Sequence, residues 1–425
     1  MDAEQIRGLR SRLKRFLGQF DDCFDRRDTR AHFPTYVEGQ LSDLPRKSVE
    51  PIAMKSGTPV RTLQEFLSQH CWKQDQMRDR LQQIVVRDHA GPHSIGLIDE
   101  TSYVKKGPMT PGVQRQHCGA VGKKENCIVT VHLGYARDDF HCLLDGELYL
   151  PQSWSDDRER CREAGIPDDV VYRPKTDIAL ELYDQACKNG VEFEWLTFDE
   201  GYGGKPPFLR ALVQREQQFV GEVPVNFVAW TKPPLVTTRN YRRRGRGKSR
   251  KTPRLVAGSP KPQKVANILK YNRKLQQQPW QRWRVKDGEK GPMIWEVKHL
   301  LIYPPDAEGL PGKPMHLVIA RNSQDPTEVK YFVCNAPPDT KVEVLLLVAF
   351  SRWRIERCFE DGKGEVGLDH YEGRRYVGLK RHLVLSAVSL LFLAQTREAL
   401  RKKKSGTDRV SDPHRNECGG AVLVA

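Results

Sequence analysis

Asp99, Asp199 and Glu356 are the acidic residues whose settings point to chemistry. Asp99 follows the short apolar run Ile95-Gly-Leu-Ile, which reads as a buried strand with a carboxylate at its tip. Phe193 to Phe198 reads as another strand, and it delivers Asp199 at its end. Glu356 lies in a helical stretch, four residues after Arg352 and seven before Lys363. At about 100° per residue these offsets bring all three within roughly 40° of one helix face. Trp353 and Phe359 are then left to face the core.

Such a set suits phosphodiester cleavage assisted by two divalent ions. That reaction needs several hard oxygen ligands and open coordination positions, and no His or Cys ligand. A carboxylate flanked by two cations can hold metal while the cations take substrate phosphates. Spacing alone leaves a plainer reading open, because 54 acidic residues make some strand-end Asp inevitable and Arg–Glu pairs on helices are usually solvated. A zinc site is a further alternative, since His117, Cys118, Cys127, His132, His141 and Cys142 fall close together. Their spacing matches no standard finger, and they sit on expected strands. Asp156, Asp157 and Glu159 have Arg158 and Arg160 as ordinary partners, and His382 reads as a helix-surface residue.

The elements that must position these residues fall into blocks. Helices are expected at 3–24, 46–55, after Pro59 and at 75–85. Ser56-Gly57-Thr58-Pro59 supplies the turn of a helix-turn-helix or of a plain bundle. Strands follow at 95–99, 113–121, 127–135 and 142–150, then a helix near Ile178, the strand at 193–198, a helix at 208–215 and a strand at 218–223. These strands, followed by alternating helix and strand, make an α/β layer. Arg239, Arg242, Arg243, Arg244, Arg246, Lys248, Arg250, Lys251 and Arg254 crowd a loop with Gly and Pro. Like charges at that density repel one another, so the loop should order on phosphate. Strand-like runs at 294–303, 316–322 and 328–334 make 225–338 a β-rich module, and helices at 341–363 and 374–400 complete the α/β layer.

Seventy Lys and Arg against 54 Asp and Glu give a net charge of +16, which favours a polyanionic partner. Ten scattered cysteines without a Cys-x-x-Cys pair read as reduced thiols. The charged N-terminus lacks the apolar core of a signal peptide. No stretch reads as the roughly 20 apolar residues of a membrane span, so no membrane partner and a cytoplasmic, nucleoid-associated location are expected.

The strings SIGLIDETSYVKKG, GVQRQHCGAVGKKENCIVTV, LYLPQSWSDDRERCREAGIP, LTFDEGYG and RWRIERCFEDGKGEVGLDHYEGR extend the case. Together they resemble bacterial insertion-sequence transposases of the DDE class, over most of residues 46–398 in matching order. The match is closest to the cut-and-paste branch with a Tyr-Arg-Glu-Lys signature. The resemblance implies an RNase H-like catalytic domain with a β-rich insertion and an N-terminal helical domain. The implied division is 1–90 helical and DNA-binding, 91–224 catalytic, 225–338 insertion with the basic loop, 339–400 catalytic again and 401–425 a disordered tail.

By resemblance, the metal-binding catalytic acids are Asp99, Asp199 and Glu356, holding two Mg²⁺ that Mn²⁺ can replace. The signature's Arg and Lys fall on Arg352 and Lys363, and its Tyr on Ala349. Relatives that pass through a DNA hairpin hold a flipped base on an inserted-module Trp; Trp280, Trp283 and Trp295 are candidates for that role or for the module's own core. The implied partner is double-stranded DNA, as element ends and target, bound by at least a homodimer because two ends must be paired. A DNA-binding protein that has lost catalysis and a structure-selective nuclease of the same fold are the rival readings.

Overall fold

Apolar residues recurring three and four apart make the first 90 residues helical. The computed structural model describes residues 3–238, 252–288, 291–407 and 422–424. It opens with α1 (Ala3–Leu17), α2 (Arg27–Gln40), α3 (Val49–Ser56), α4 (Val60–Ser68) and α5 (Gln74–His89). The first helix ends earlier than expected, passing at Gly18 into a 3-10 turn that runs to Cys23. α2 escapes the sequence pattern because Pro34 sits inside it. Gly57 closes α3 in the left-handed conformation at φ 70°, and Pro59 is the residue preceding α4.

The chain continues through β1 (Ile95–Val104), β2 (Gln114–Cys118), β3 (Lys123–Arg137), β4 (Phe140–Leu148), α6 (Gln152–Ser155), α7 (Arg158–Glu163) and α8 (Lys175–Lys188). Next come β5 (Trp195–Phe198), α9 (Glu200–Gly203), α10 (Pro206–Gln214), β6 (Phe219–Val223), and the short β7 (Val228–Ala229), β8 (Val236–Thr237), β9 (Arg254–Leu255) and β10 (Gln263–Lys264). Helices α11 (Val265–Tyr271) and α12 (Arg273–Gln277) precede β11 (Gln281–Gly288), β12 (Gly291–Ile302), β13 (Met315–Asn322) and β14 (Val329–Cys334). The last elements are α13 (Val342–Ser351), α14 (Trp353–Glu365), α15 (Tyr376–Thr407) and β15 (Val422–Val424). Contacts divide the chain into two compact units, residues 1–194 with 353–416 and residues 195–352 with 417–425.

In the first unit β3 is the central strand, pairing antiparallel with β1, β2 and β4. The ladder with β1 runs unbroken from Ile95 opposite Ala136 to Val104 opposite Cys127. Asp99 therefore stands in mid-strand and not at a strand tip. The residues after it, Thr101, Ser102, Tyr103 and Val104, are β-branched, small or aromatic and find partners in Cys127–Thr130, so pairing continues past the acid.

α15 also departs from the sequence reading. Tyr376–Arg401 is long and apolar enough to cross a membrane by length and composition, yet most of it is buried within the protein. It is apolar on many sides because it is a central helix. Leu385, Val388 and Leu391 are fully buried, and Phe392 packs on Phe16 of α1 with ring centroids 5.4 Å apart. Arg381, His382, Ser386 and Ser389, its fully buried polar residues, are partnered within the same unit. Arg381 donates to the carbonyls of Phe66, Leu67 and Trp72 and lies over the Trp72 ring. Gln40 bridges Ser386 and Ser389, each at 2.9 Å.

His382 is not the surface residue expected but is fully buried, with Nδ1 2.9 Å from Tyr36 Oη. Its Nε2 faces the carbonyls of Gly367 and Leu368 and must carry the proton, so Nδ1 accepts from Tyr36. Burial pushes the ring down to about 4, keeping it neutral.

In the second unit β5 runs parallel to β6, and β6 pairs antiparallel with β14. The sheet then continues through β13, β12 and β11 to β15. The β-rich segment thus shares a sheet with the strand that follows Asp199. Phe350 of α13 packs against Trp295 and Phe332 at 5.0 and 5.7 Å between centroids. The helix expected at 341–363 is two helices, α13 and α14, parted at Arg352. The tail read as disordered from 401 begins as helix to Thr407, and Val422–Val424 pairs with β11. The apolar Val422-Leu-Val run is a strand signal that the polar residues before it mask.

Because α1 and α2 cover α15, removing residues 1–45 should expose the Phe392, Ser386 and Ser389 face and leave an insoluble chain. A soluble truncated chain with a cooperative urea transition would contradict this packing.

Candidate active site

Opposite residues of an antiparallel pair share a sheet face, so Asp99 lies on the same face as its partner His132. α14 crosses that face. Phe359 rests on the His132 ring, with centroids 5.2 Å apart, and Lys363 Nζ donates to the carbonyl of Ser102 at 3.4 Å. Glu356, Phe359 and Lys363 fall within about 60° of one another around the helix. Glu356 is therefore on the stripe that faces β1 and β3, one turn beyond Phe359 and away from Lys363. Glu356 is exposed, whereas Asp99 is only 8% exposed and accepts a bond from the Glu100 backbone at 2.7 Å.

The close fit of this face depends on glycine. A Cβ at Gly146 would overlap the imidazole of His132, which fills the space across the strand. That imidazole is in contact with Thr130 Oγ1 at 2.7 Å and Tyr103 Oη at 3.3 Å. Burial drives its basicity down to about 3, so it is neutral and its Nε2 is occupied. The donors this face offers to a cation are carboxylate oxygens, which suit Mg²⁺ rather than Zn²⁺. Among the described residues, no three His, Cys, Asp or Glu side chains stand together as a metal-holding group. The cysteines and histidines considered for zinc form no such group; Cys118, for example, donates to Ser102 Oγ at 3.3 Å.

Asp199 belongs to the second unit. It directly follows β5 and caps α9, its Oδ1 accepting from the backbones of Gly201 and Tyr202 at 2.9 and 3.3 Å. An acid at this position satisfies the first donors of a helix N-terminus, so its carboxylate orientation is fixed by the chain itself. Gly203 lets α9 lie against β6, since a Cβ there would run into the carbonyl oxygen of Glu222. Arg352 stands between α13 and α14 and is partly buried.

Lys363 is half-buried, and desolvation lowers its basicity while the charge of Asp369 opposes that shift. Asp157 caps α7, accepting from the Arg160 backbone at 3.0 Å, and so has a structural task.

The tryptophans separate. Trp283 and Trp295 face each other across β11 and β12 and are each 4% exposed, so neither presents a face to a base in this conformation. Trp280 is partly exposed, but Arg321 and Lys298 lie over its ring at 4.2 and 4.8 Å. Arg242, Arg243, Arg244, Arg246, Lys248, Arg250 and Lys251 fall outside the described residues. Sequence reasoning missed Lys105 and the turn after α14; the only signals were the Lys105-Lys106-Gly107 string and a glycine, Gly367, at φ 69°.

The described residues thus form a mixed α/β fold, with Asp99 in mid-strand, Glu356 on the helix that crosses that strand's face, and Asp199 capping a helix after a parallel strand. The chain matches the family described as DDE superfamily endonuclease over residues 19–292, and it belongs to that family. The matched residues include Asp99 and Asp199; Glu356 lies beyond them. The chain is also similar to a probable transposase for insertion sequence element IS701 from Microchaete diplosiphon, 33% identical over 168 residues. That alignment covers 39% of this chain and 41% of the relative, so the chain spans about two fifths of the length of the curated relative it matches.

Replacing Gly203 with Ala should push α9 off β6 and cost about 2 kcal/mol of stability. Urea denaturation measures this, and an alanine variant as stable as wild type would contradict the close approach.

Proposed function

We propose that this chain is a DNA transposase of the insertion-sequence type, cutting phosphodiester bonds at element ends and transferring the 3′ ends to target DNA. One observation supports the reading: in a member of the DDE endonuclease family, α14 lies over β1 and β3, with Lys363 on the Ser102 carbonyl and Phe359 on His132, the strand partner of Asp99. The similarity to the probable IS701 transposase supports the same class.

In this reading Asp99, Asp199 and Glu356 hold Mg²⁺, or Mn²⁺ in its place, through oxygen alone. Divalent ions held by these carboxylates would supply Lewis-acid activation of an attacking water or 3′-hydroxyl and charge stabilisation of the leaving oxygen. The chain's own part is to fix the acids. Asp99 is held by the β1–β3 ladder, Asp199 by the cap it makes, and Glu356 by the helix that Phe359 seats. Arg352 and Lys363 take phosphate oxygens beside them. In this reading Arg352, Glu356 and Lys363 take the Arg, Glu and Lys places of the Tyr-Arg-Glu-Lys branch, while Ala349, buried in α13, takes the place of its Tyr.

The surplus of cations, +16 overall, supports a duplex DNA partner. Arg242, Arg243, Arg244, Arg246, Lys248, Arg250 and Lys251 are the proposed backbone-binding loop. Pairing two element ends calls for a homodimer on DNA, and such a reaction belongs in the cytoplasm, on the nucleoid.

The test is Mg²⁺- or Mn²⁺-dependent cutting and joining of a DNA fragment bearing the element's ends. Wild type is compared with Asp99→Asn, Asp199→Asn and Glu356→Gln. Each substitution should lower cutting by more than about 100-fold with DNA binding retained. A substitution that leaves cutting intact removes that residue from the site, and nicks without joined products would mean a nuclease of the same fold.

A further inference from the structure

We infer that Lys105 is a positioning residue for the candidate metal carboxylates, because it ties the turn after α14 to the end of β1 and so sets Glu356 against Asp99. The inference rests on the proposed metal-carboxylate reading. Lys105 follows β1 directly, and its backbone is held on both sides by Asn126. The Lys105 N–H donates to the Asn126 carbonyl at 2.8 Å, and the Lys105 carbonyl accepts from Asn126 Nδ2 at 2.6 Å. From that fixed base its ammonium reaches two carbonyls of the turn, Asp369 at 3.1 Å and Tyr371 at 2.6 Å.

The turn is in turn locked to α14 and to what lies behind it. Leu368 N–H donates to the Gly362 carbonyl at 2.8 Å, and His370 N–H to that of Gly367 at 2.9 Å. Lys47 approaches from the segment before α3. Its backbone N–H donates to His370 Nδ1 at 2.9 Å, and its ammonium donates to the Glu365 carbonyl. His382 holds the carbonyls of Gly367 and Leu368 from the α15 side. With Lys363 on the Ser102 carbonyl, α14 has two polar anchors on β1, one direct and one through Lys105.

A helix anchored at its C-terminal end transmits that placement along its length. Glu356 lies about two turns from Lys363, so a shift of the anchor becomes a shift of the carboxylate. A neutral donor could satisfy the two carbonyls at lower desolvation cost, so the choice of an ammonium needs a reason. Burial pulls Lys105 down to about 8, the Asp369 and Glu372 charges oppose that shift, and Arg46 adds to it. Lys47, Lys363, His370 and Tyr371 also border this turn. The charged form makes stronger bonds to carbonyls than a neutral amine does, and its long stem spans from strand end to turn.

The experiment is a titration of the full-length chain with Mn²⁺, followed by electron paramagnetic resonance, on wild type, Lys105→Met, Lys105→Arg and Asp99→Asn. Lys105→Met should raise the half-saturating Mn²⁺ concentration about 10-fold, as loss of a group that orients metal ligands does, and Lys105→Arg should recover most of it. If Lys105→Met does not give a soluble protein, Lys105→Gln carries the same comparison. Wild-type Mn²⁺ binding in Lys105→Met, alongside weakened binding in Asp99→Asn, would overturn this inference alone. Wild-type binding in Asp99→Asn would overturn the metal reading and this inference with it.

Discussion

The ten-residue ladder between β1 and β3 is the constraint on which the first unit depends. It decides which side chains of β1 face α14, since a slip of one residue would turn Asp99 to the opposite face. The ladder also sets His132 beside Asp99, and Phe359 packs on that ring. The position of Glu356 on the helix follows from that contact and from the Lys363 bond to Ser102. A single register thus fixes a strand acid and a helix acid with respect to one another.

The same unit is organised around α15, which also meets α14 through Arg397 and Asp361. A helix buried on most of its surface needs partners on every side, and the N-terminal helices supply them through Phe16, Tyr36, Gln40, Phe66 and Trp72. Burying Arg381 and His382 is tolerable because each polar atom meets a carbonyl or hydroxyl. Those bonds have direction, which apolar packing lacks, so they favour one docking of the helices over many similar ones. The His382 bonds to Gly367 and Leu368 carry this order forward to the turn after α14.

Much of this was legible in the sequence, and the failures have physical causes. The elements that carry Asp99, Asp199 and Glu356 were legible because apolar runs and a 3.6-residue period mark them. The mid-strand place of Asp99 was not, since a run that turns from apolar to polar looks like a strand end until its partner is known. α2 was hidden by an internal proline, and α15 looked like an ordinary helix whose all-round burial only tertiary packing reveals. Lys105 was invisible for a related reason: its partners are backbone carbonyls more than 260 residues away, and backbone leaves no trace in residue type. Trp283 and Trp295 were legible as aromatic residues of the β-rich segment, but their burial depends on cross-strand pairing and α13.

The central claim is that Asp99, Asp199 and Glu356 bind the same divalent ions. Crystals of the protein grown with Mn²⁺ and a DNA end, measured for anomalous scattering from manganese, test it directly. The account predicts peaks at about 2.0–2.3 Å from oxygens of all three carboxylates. Manganese bound elsewhere, with any one of the three acids left without a metal bond, would contradict it.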